Sequence, residues 1–187
     1  MVISVFSSKG GTGKTFLTTN LASALSELTG EDTAVVDLDV DMGDVFSYFG
    51  LEPTRQVMEL IGLGEGADRE EVLGASTNVG SHLWAFGAVP DPAMQPPAGE
   101  AVGKYLRTLR NNFSYVVVDA SADYTDLALA CFDLSDAICL VTGLDVVGVR
   151  HLSKALETLL TIGLPRERFR IVLNWADSKV GLDAGDV

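Results

Sequence analysis

The chain has 187 residues, 47% hydrophobic and 21% charged, which is enough for one domain with a sizeable core and too apolar for disorder. Its 26 acidic and 13 basic residues give a net charge of −13 with no Lys/Arg-rich run, so direct binding to nucleic acid or anionic lipid is not expected. No uncharged apolar stretch is long enough to span a bilayer, the N-terminus reads as a strand followed by Lys9 and Lys14 rather than a signal peptide, and Cys131 and Cys139 sit in apolar runs as small hydrophobes, which together imply a cytoplasmic location.

Val2–Ser7 is a continuous apolar run and predicts a buried strand. Lys14–Leu28 predicts a helix whose apolar face is Phe16, Leu17, Leu21, Ala24, Leu25 and Leu28, stopped by Gly30. Thr33–Asp37 predicts the second strand and His82–Ala88 a third. Between them Gly62–Asn78 reads as short helices, and Asp91–Gly99 is a Pro-rich connector. Tyr115–Asp119, Ala137–Thr142 and Arg170–Asn174 complete the strands. Glu100–Arg110, Thr125–Leu134 and Val146–Ile162 are helical, the last capped by Asp145 and ended by Gly163. Strands alternating with helices imply an α/β fold: a mostly parallel sheet with helices on both faces, in one domain over residues 1–187.

In such sheets ligands bind at the carboxyl ends of the strands. Three chemistry-bearing segments fall there: Ser7–Thr15, Asp37–Asp44 and Asp119–Asp126. In the run Lys9, Gly10, Gly11, Thr12, Gly13, Lys14, Thr15 the glycines leave backbone N–H groups free to converge on phosphate oxygens. Lys14 opens the helix and can reach β- and γ-phosphates, while the Thr15 hydroxyl can ligate Mg²⁺. The helix N-terminus adds a favourable dipole, and Phe16 closes the candidate ATP-binding segment. Position 8 is serine, so the strict G-x-x-x-x-G-K-[ST] pattern is not met and the loop is a variant with an extra lysine, Lys9. Asp119 ends an apolar strand, where an aspartate can hold Mg²⁺ through water. Either Asp37 or Asp39 can orient an attacking water, and Asp41 and Asp44 read as solvated charges.

Lys9–Thr15 resembles the deviant Walker A motif of the ParA/MinD superfamily of ATPases, which are P-loop NTPases. The segment from Val36 through Asp37, Asp39, Gly43, Asp44 and Val45 to Pro53 is similar to the CpaE/TadZ branch, the ATPases of Flp and tight-adherence pilus assembly. Val89-Pro-Asp-Pro92, Tyr115–Asp119 and Val172-Leu-Asn174 fit that branch. The resemblance implies a slow ATPase that dimerises around ATP and Mg²⁺ and positions a pilus or secretion machine, in the cytoplasm, with the cell pole and the inner face of the membrane as candidate sites. It assigns catalysis to Lys9, Lys14 and Asp39, metal binding to Thr15, Asp39 and Asp119, and adenine contact to Asn174. Lys9 would reach the nucleotide of a second, identical subunit. The family usually places a proline, and in some members a glycine, after the strand-end aspartate. Here the run is Ala120-Ser-Ala-Asp-Tyr-Thr-Asp126, a departure that bears on switching and hydrolysis more than on binding. Family members continue for a further strand and one or more helices, so the domain is expected to be truncated at its C-terminus, and any membrane association would be indirect or lie in that missing part. Two alternatives follow: a nucleotide-binding scaffold with little hydrolysis, and a partitioning or pole-positioning ATPase.

Overall fold

The structure is a computed structural model that describes residues 1–39, 43–55, 59, 61–62, 64, 66–87, 89 and 97–177. The expected loop at Asp91–Gly99 and the segments around Asp41 and Val89-Pro-Asp-Pro92 lie wholly or largely outside the described residues.

The elements run β1 (Val2–Phe6), α1 (Lys14–Thr29), β2 (Thr33–Asp37), α2 (Val45–Tyr48), α3 (Arg69–Gly74), β3 (Thr77–Gly80), β4 (Leu83–Phe86), α4 (Gly99–Asn112), β5 (Tyr115–Asp119), α5 (Asp126–Leu134), β6 (Ala137–Gly143), α6 (Val146–Thr161) and β7 (Phe169–Asn174). A short 3₁₀ turn, Arg166–Arg168, precedes β7. The sheet has seven strands in the order β3-β4-β2-β5-β1-β6-β7. All neighbours are parallel except the edge pair β3 and β4.

Strand alternation sends Val2 and Phe6, Ala34 and Val36, Val116 and Val118, and Ile138 and Leu140 to one face. There they meet Val102, Tyr105, Leu106 and Leu109 of α4, Cys131 and Phe132 of α5, and Leu152, Ala155 and Leu159 of α6. Val5, Val35, Val117 and Val141 face the other way, onto Ala22 of α1 and Val45 and Phe46 of α2. Both faces are therefore covered, as parallel sheets require. Cys131 and Cys139 are free thiols, and burial pushes Cys131 up to about 11.

The apolar face expected for α1 is corrected. Phe16, Ala24 and Leu28 are exposed, and the buried stripe is Thr18, Thr19, Ala22 and Ser26, with Leu17, Leu21 and Leu25 half-buried beside it. Small residues let the helix lie close to β5 and β2, while Thr18 and Thr19 satisfy their hydroxyls on the carbonyls of Lys14 and Thr15. The expected strand His82–Ala88 is β4, Leu83–Phe86. The region read as short helices contains α3, held by an Asp68–Glu71 capping box, but its end pairs antiparallel to β4 as β3.

Candidate nucleotide-binding site

β1 lies between β5 and β6, and the chain leaves it through the glycine loop into α1, which crosses to β2 on the far side of β5. The carboxyl ends of β1, β2 and β5 therefore open into one place, where Asp37 is paired in register with Asp119. A cavity of about 590 Å³ sits there, lined by Gly10–Phe16, Asp39, Asp44, Tyr48, Asp119, Ala122, Asn174 and Trp175. That volume suits a nucleotide-sized ligand.

Gly11 and Gly13 take left-handed backbone, at φ 72° and 90°, which curls the loop back toward the helix N-terminus. A Cβ on Gly10 or Gly11 would meet nothing within 4 Å, so an open concavity lies over the loop. Gly13 is different: a Cβ there would come within 2.4 Å of the Asn174 Nδ2. That amide donates to the Thr12 carbonyl at 2.9 Å and ties the loop to the end of β7. The Thr12 hydroxyl is buried without a partner.

Lys14 is largely enclosed. Its Nζ donates to the Ala120 carbonyl at 3.1 Å and lies 3.9 Å from the Asp119 Oδ1. The Thr15 hydroxyl donates to the other Asp119 oxygen at 2.6 Å, and Thr18 reaches Oδ1 at 3.4 Å. Asp119 is buried, and burial raises its carboxyl above the ordinary range while Lys14, Thr15 and Thr18 pull it down. Asp37 accepts from the backbone N–H groups of Asp39 and Val45, each at 3.0 Å. It thereby holds the start of α2 and places Asp39 on the cavity wall. Burial pushes the Asp37 carboxyl up to about 7, aided by the charges of Asp119 and Asp39.

These residues fit a Mg²⁺–nucleoside polyphosphate. Among the described residues no group of three or more His, Cys, Asp or Glu could hold a metal by itself. One hydroxyl and one carboxylate beside an open phosphate cradle are the donor set that Mg²⁺ uses when phosphate oxygens and waters complete its shell. Thr15 and Asp119 would hold it, Gly10–Thr15 and Lys14 would hold the phosphates, and Asp39 would face a water over them.

Two features are absent from the sequence reading. The Lys9 ammonium is paired with Asp145 through both carboxylate oxygens, at 3.0 and 3.2 Å, so its charge is drawn away from its own cradle. Asp145 is also the cap of α6, accepting from the Gly148 N–H at 2.8 Å, and these bonds lower its carboxyl. The second is Trp175, which follows Asn174 and lines the cavity.

Residues 3–180 match the family model described as "CobQ/CobB/MinD/ParA nucleotide binding domain". The chain belongs to this family. It is similar to the antiactivator FleN of Pseudomonas aeruginosa, 28% identical over 177 residues that make up 95% of this chain and 62% of FleN. This MinD/ParA-type domain superimposes on a ParA family ATPase from Chlorobium tepidum with a TM-score of 0.84 at 23% identity, over 95% of this chain and 75% of that one. It superimposes on the septum site-determining protein MinD of Pyrococcus horikoshii, solved with Mg-ADP, with a TM-score of 0.79 at 23% identity, over 99% and 74% of the two chains. The chain spans about three fifths of the length of the curated relatives it matches. Among the described residues no helix is long and apolar enough to cross a membrane.

Proposed function

We propose that this MinD/ParA-type domain binds ATP with Mg²⁺, dimerises around it, hydrolyses it slowly, and uses the ATP-bound state to position a pilus or secretion machine. One observation carries the reading: Lys14, Thr15 and Asp119 converge through hydrogen bonds and a 3.9 Å ion pair beside an open glycine loop. Such a site works by positioning and charge stabilisation rather than by strong bases. Bound Mg²⁺ would supply charge neutralisation on the phosphates; the chain itself supplies Lys14 to the phosphates and Asp39 to orient water. Lys9, paired with Asp145 and not among the residues lining the cavity, is available to act on a second subunit once that pair opens.

The pilus role draws on the similarity of the Val36–Pro53 segment to the CpaE/TadZ branch. Relatives that include an antiactivator and septum site-determining proteins favour the broader class of position-setting ATPases. A second reading, a nucleotide-binding scaffold, is favoured by one specific observation: the Lys14 ammonium rests on the carbonyl of Ala120, in the run that lacks the family's proline and glycine.

Single-turnover hydrolysis separates the two. Wild type is expected to release phosphate from bound ATP, and Asp39→Ala to keep ATP bound while release slows by ~10²-fold or more. Equal rates for wild type and Asp39→Ala would remove Asp39 from the reaction, and no release by either would leave the scaffold reading standing.

A further inference from the structure

Among the described residues three aromatic side chains are exposed, Phe16, Tyr48 and Trp175, and all three line the one cavity above the glycine loop. Phe16 and Tyr48 already face each other edge to face, with centroids 6.4 Å apart. Trp175 is 59% exposed and its indole has no ring partner among the described residues.

Its backbone is fixed with care. Trp175 is the one non-glycine described residue with positive φ, at 54°, a state that bulky residues adopt only when their surroundings impose it. The Trp175 N–H donates to the Asn174 Oδ1 at 3.0 Å, while the Asn174 Nδ2 is bound to the Thr12 carbonyl. Gly143, at the end of β6, leaves space on the other side: a Cβ there would stand 3.8 Å from the Trp175 Cε3. The backbone of Trp175 is thus tied to the phosphate loop through Asn174, while its indole sits over Gly143 and lines the cavity.

We infer that Trp175 is the base-stacking wall of the nucleotide site, and that Asn174 is a positioning residue that sets the indole relative to the cradle. This deepens the ATP-binding reading and rests on it. A nucleobase lying on an indole gains dispersion and exclusion of water over its whole face, and a purine covers more of that face than a pyrimidine. The site should therefore take purine nucleotides in preference to pyrimidine nucleotides through stacking.

The test compares Mg·ATP, Mg·CTP and base-free Mg·tripolyphosphate, by calorimetry, on wild type, Trp175→Leu and Trp175→Phe. Trp175→Leu is expected to weaken ATP ~10-fold, to shrink the ATP-over-CTP preference, and to leave tripolyphosphate unchanged. Trp175→Phe should recover most of the ATP affinity. In a Trp84→Phe background, which leaves Trp175 as the sole tryptophan, ATP should quench the emission and tripolyphosphate should not. ATP bound equally by wild type and Trp175→Leu would overturn the stacking role while leaving nucleotide binding intact. Failure of wild type to bind ATP or tripolyphosphate would overturn both readings.

Discussion

Asp37 and Asp119 stand side by side at the ends of β2 and β5, yet their partners differ. Asp119 has a lysine and two hydroxyls, whereas Asp37 has two backbone N–H groups and two acidic neighbours, Asp39 and Asp119. Burial, helped by those two acidic neighbours, raises the Asp37 carboxyl to about 7 against an ordinary value of 3.8. Because the folded value lies above the unfolded one, the folded state binds the proton more tightly, and stability falls as pH rises from about 4 to 7. In Mg²⁺-free buffer the stability difference, wild type minus Asp37→Asn, should shift against wild type across that window, by an amount on the order of 1–3 kcal/mol. Urea midpoints for both proteins at several pH values measure it, and parallel curves would show that Asp37 ionises as it does in the unfolded chain.

At the scale of elements, the link between the glycine loop and β7 is made by Asn174 against Gly13. Gly13→Ala puts a methyl group into the Asn174 amide and forces alanine to φ 90°, which costs about 1–2 kcal/mol from the backbone alone. It should also weaken ATP binding. In an Asn174→Ala background the steric part vanishes, so the two substitutions should be clearly non-additive in a double-mutant cycle. Additive losses would mean that the amide and the loop are independent.

The strands that build this region were legible because they are short, apolar and β-branched: Thr33–Asp37 and Tyr115–Asp119 match residue for residue. The caps Asp145 and Gly30 were legible for the same local reason. The buried face of α1 was not, because Thr18 and Thr19 are polar by type and are buried only since their hydroxyls bond within the helix or to Asp119. β3 escaped because Thr77-Asn-Val-Gly is a polar edge whose identity depends on its pairing with β4. Of the site, the glycine loop, Lys14, Thr15 and Asp119 follow from spacing along the chain. The Lys9–Asp145 pair and the placing of Trp175 over Gly143 join residues 136 and 32 positions apart, and no local pattern carries them.

For the whole molecule, the net charge of −13 opposes self-association unless something compensates at the contact. Lys9 is a candidate for that role, since it is not among the residues lining the cavity and is held by one half-buried carboxylate. A partly solvated ion pair of this kind contributes little, so it can yield to a stronger anion such as a bound triphosphate. With a slowly hydrolysed ATP analogue, light scattering should show wild type doubling from the monomer mass of 19.8 kDa, and Lys9→Ala remaining a monomer with nucleotide bound. A trans-acting cation is worth ~10³–10⁵ in rate where it occurs, so Lys9→Ala should also lose most hydrolysis. Wild type and Lys9→Ala dimers of equal strength would confine Lys9 to its contact with Asp145.

The functional predictions rest on nucleotide binding at the glycine loop, and equilibrium binding of Mg·ATP to wild type and Lys14→Ala tests it most directly. The Lys14 ammonium is the fixed positive charge beside the cradle, and its removal leaves the buried Asp119 carboxyl with the Thr15 and Thr18 hydroxyls as partners. Calorimetry should show saturable binding by wild type and none by a Lys14→Ala protein whose cooperative unfolding is preserved. Equal ATP affinity in the two proteins, or a folded wild type that takes up no ATP, would contradict the account.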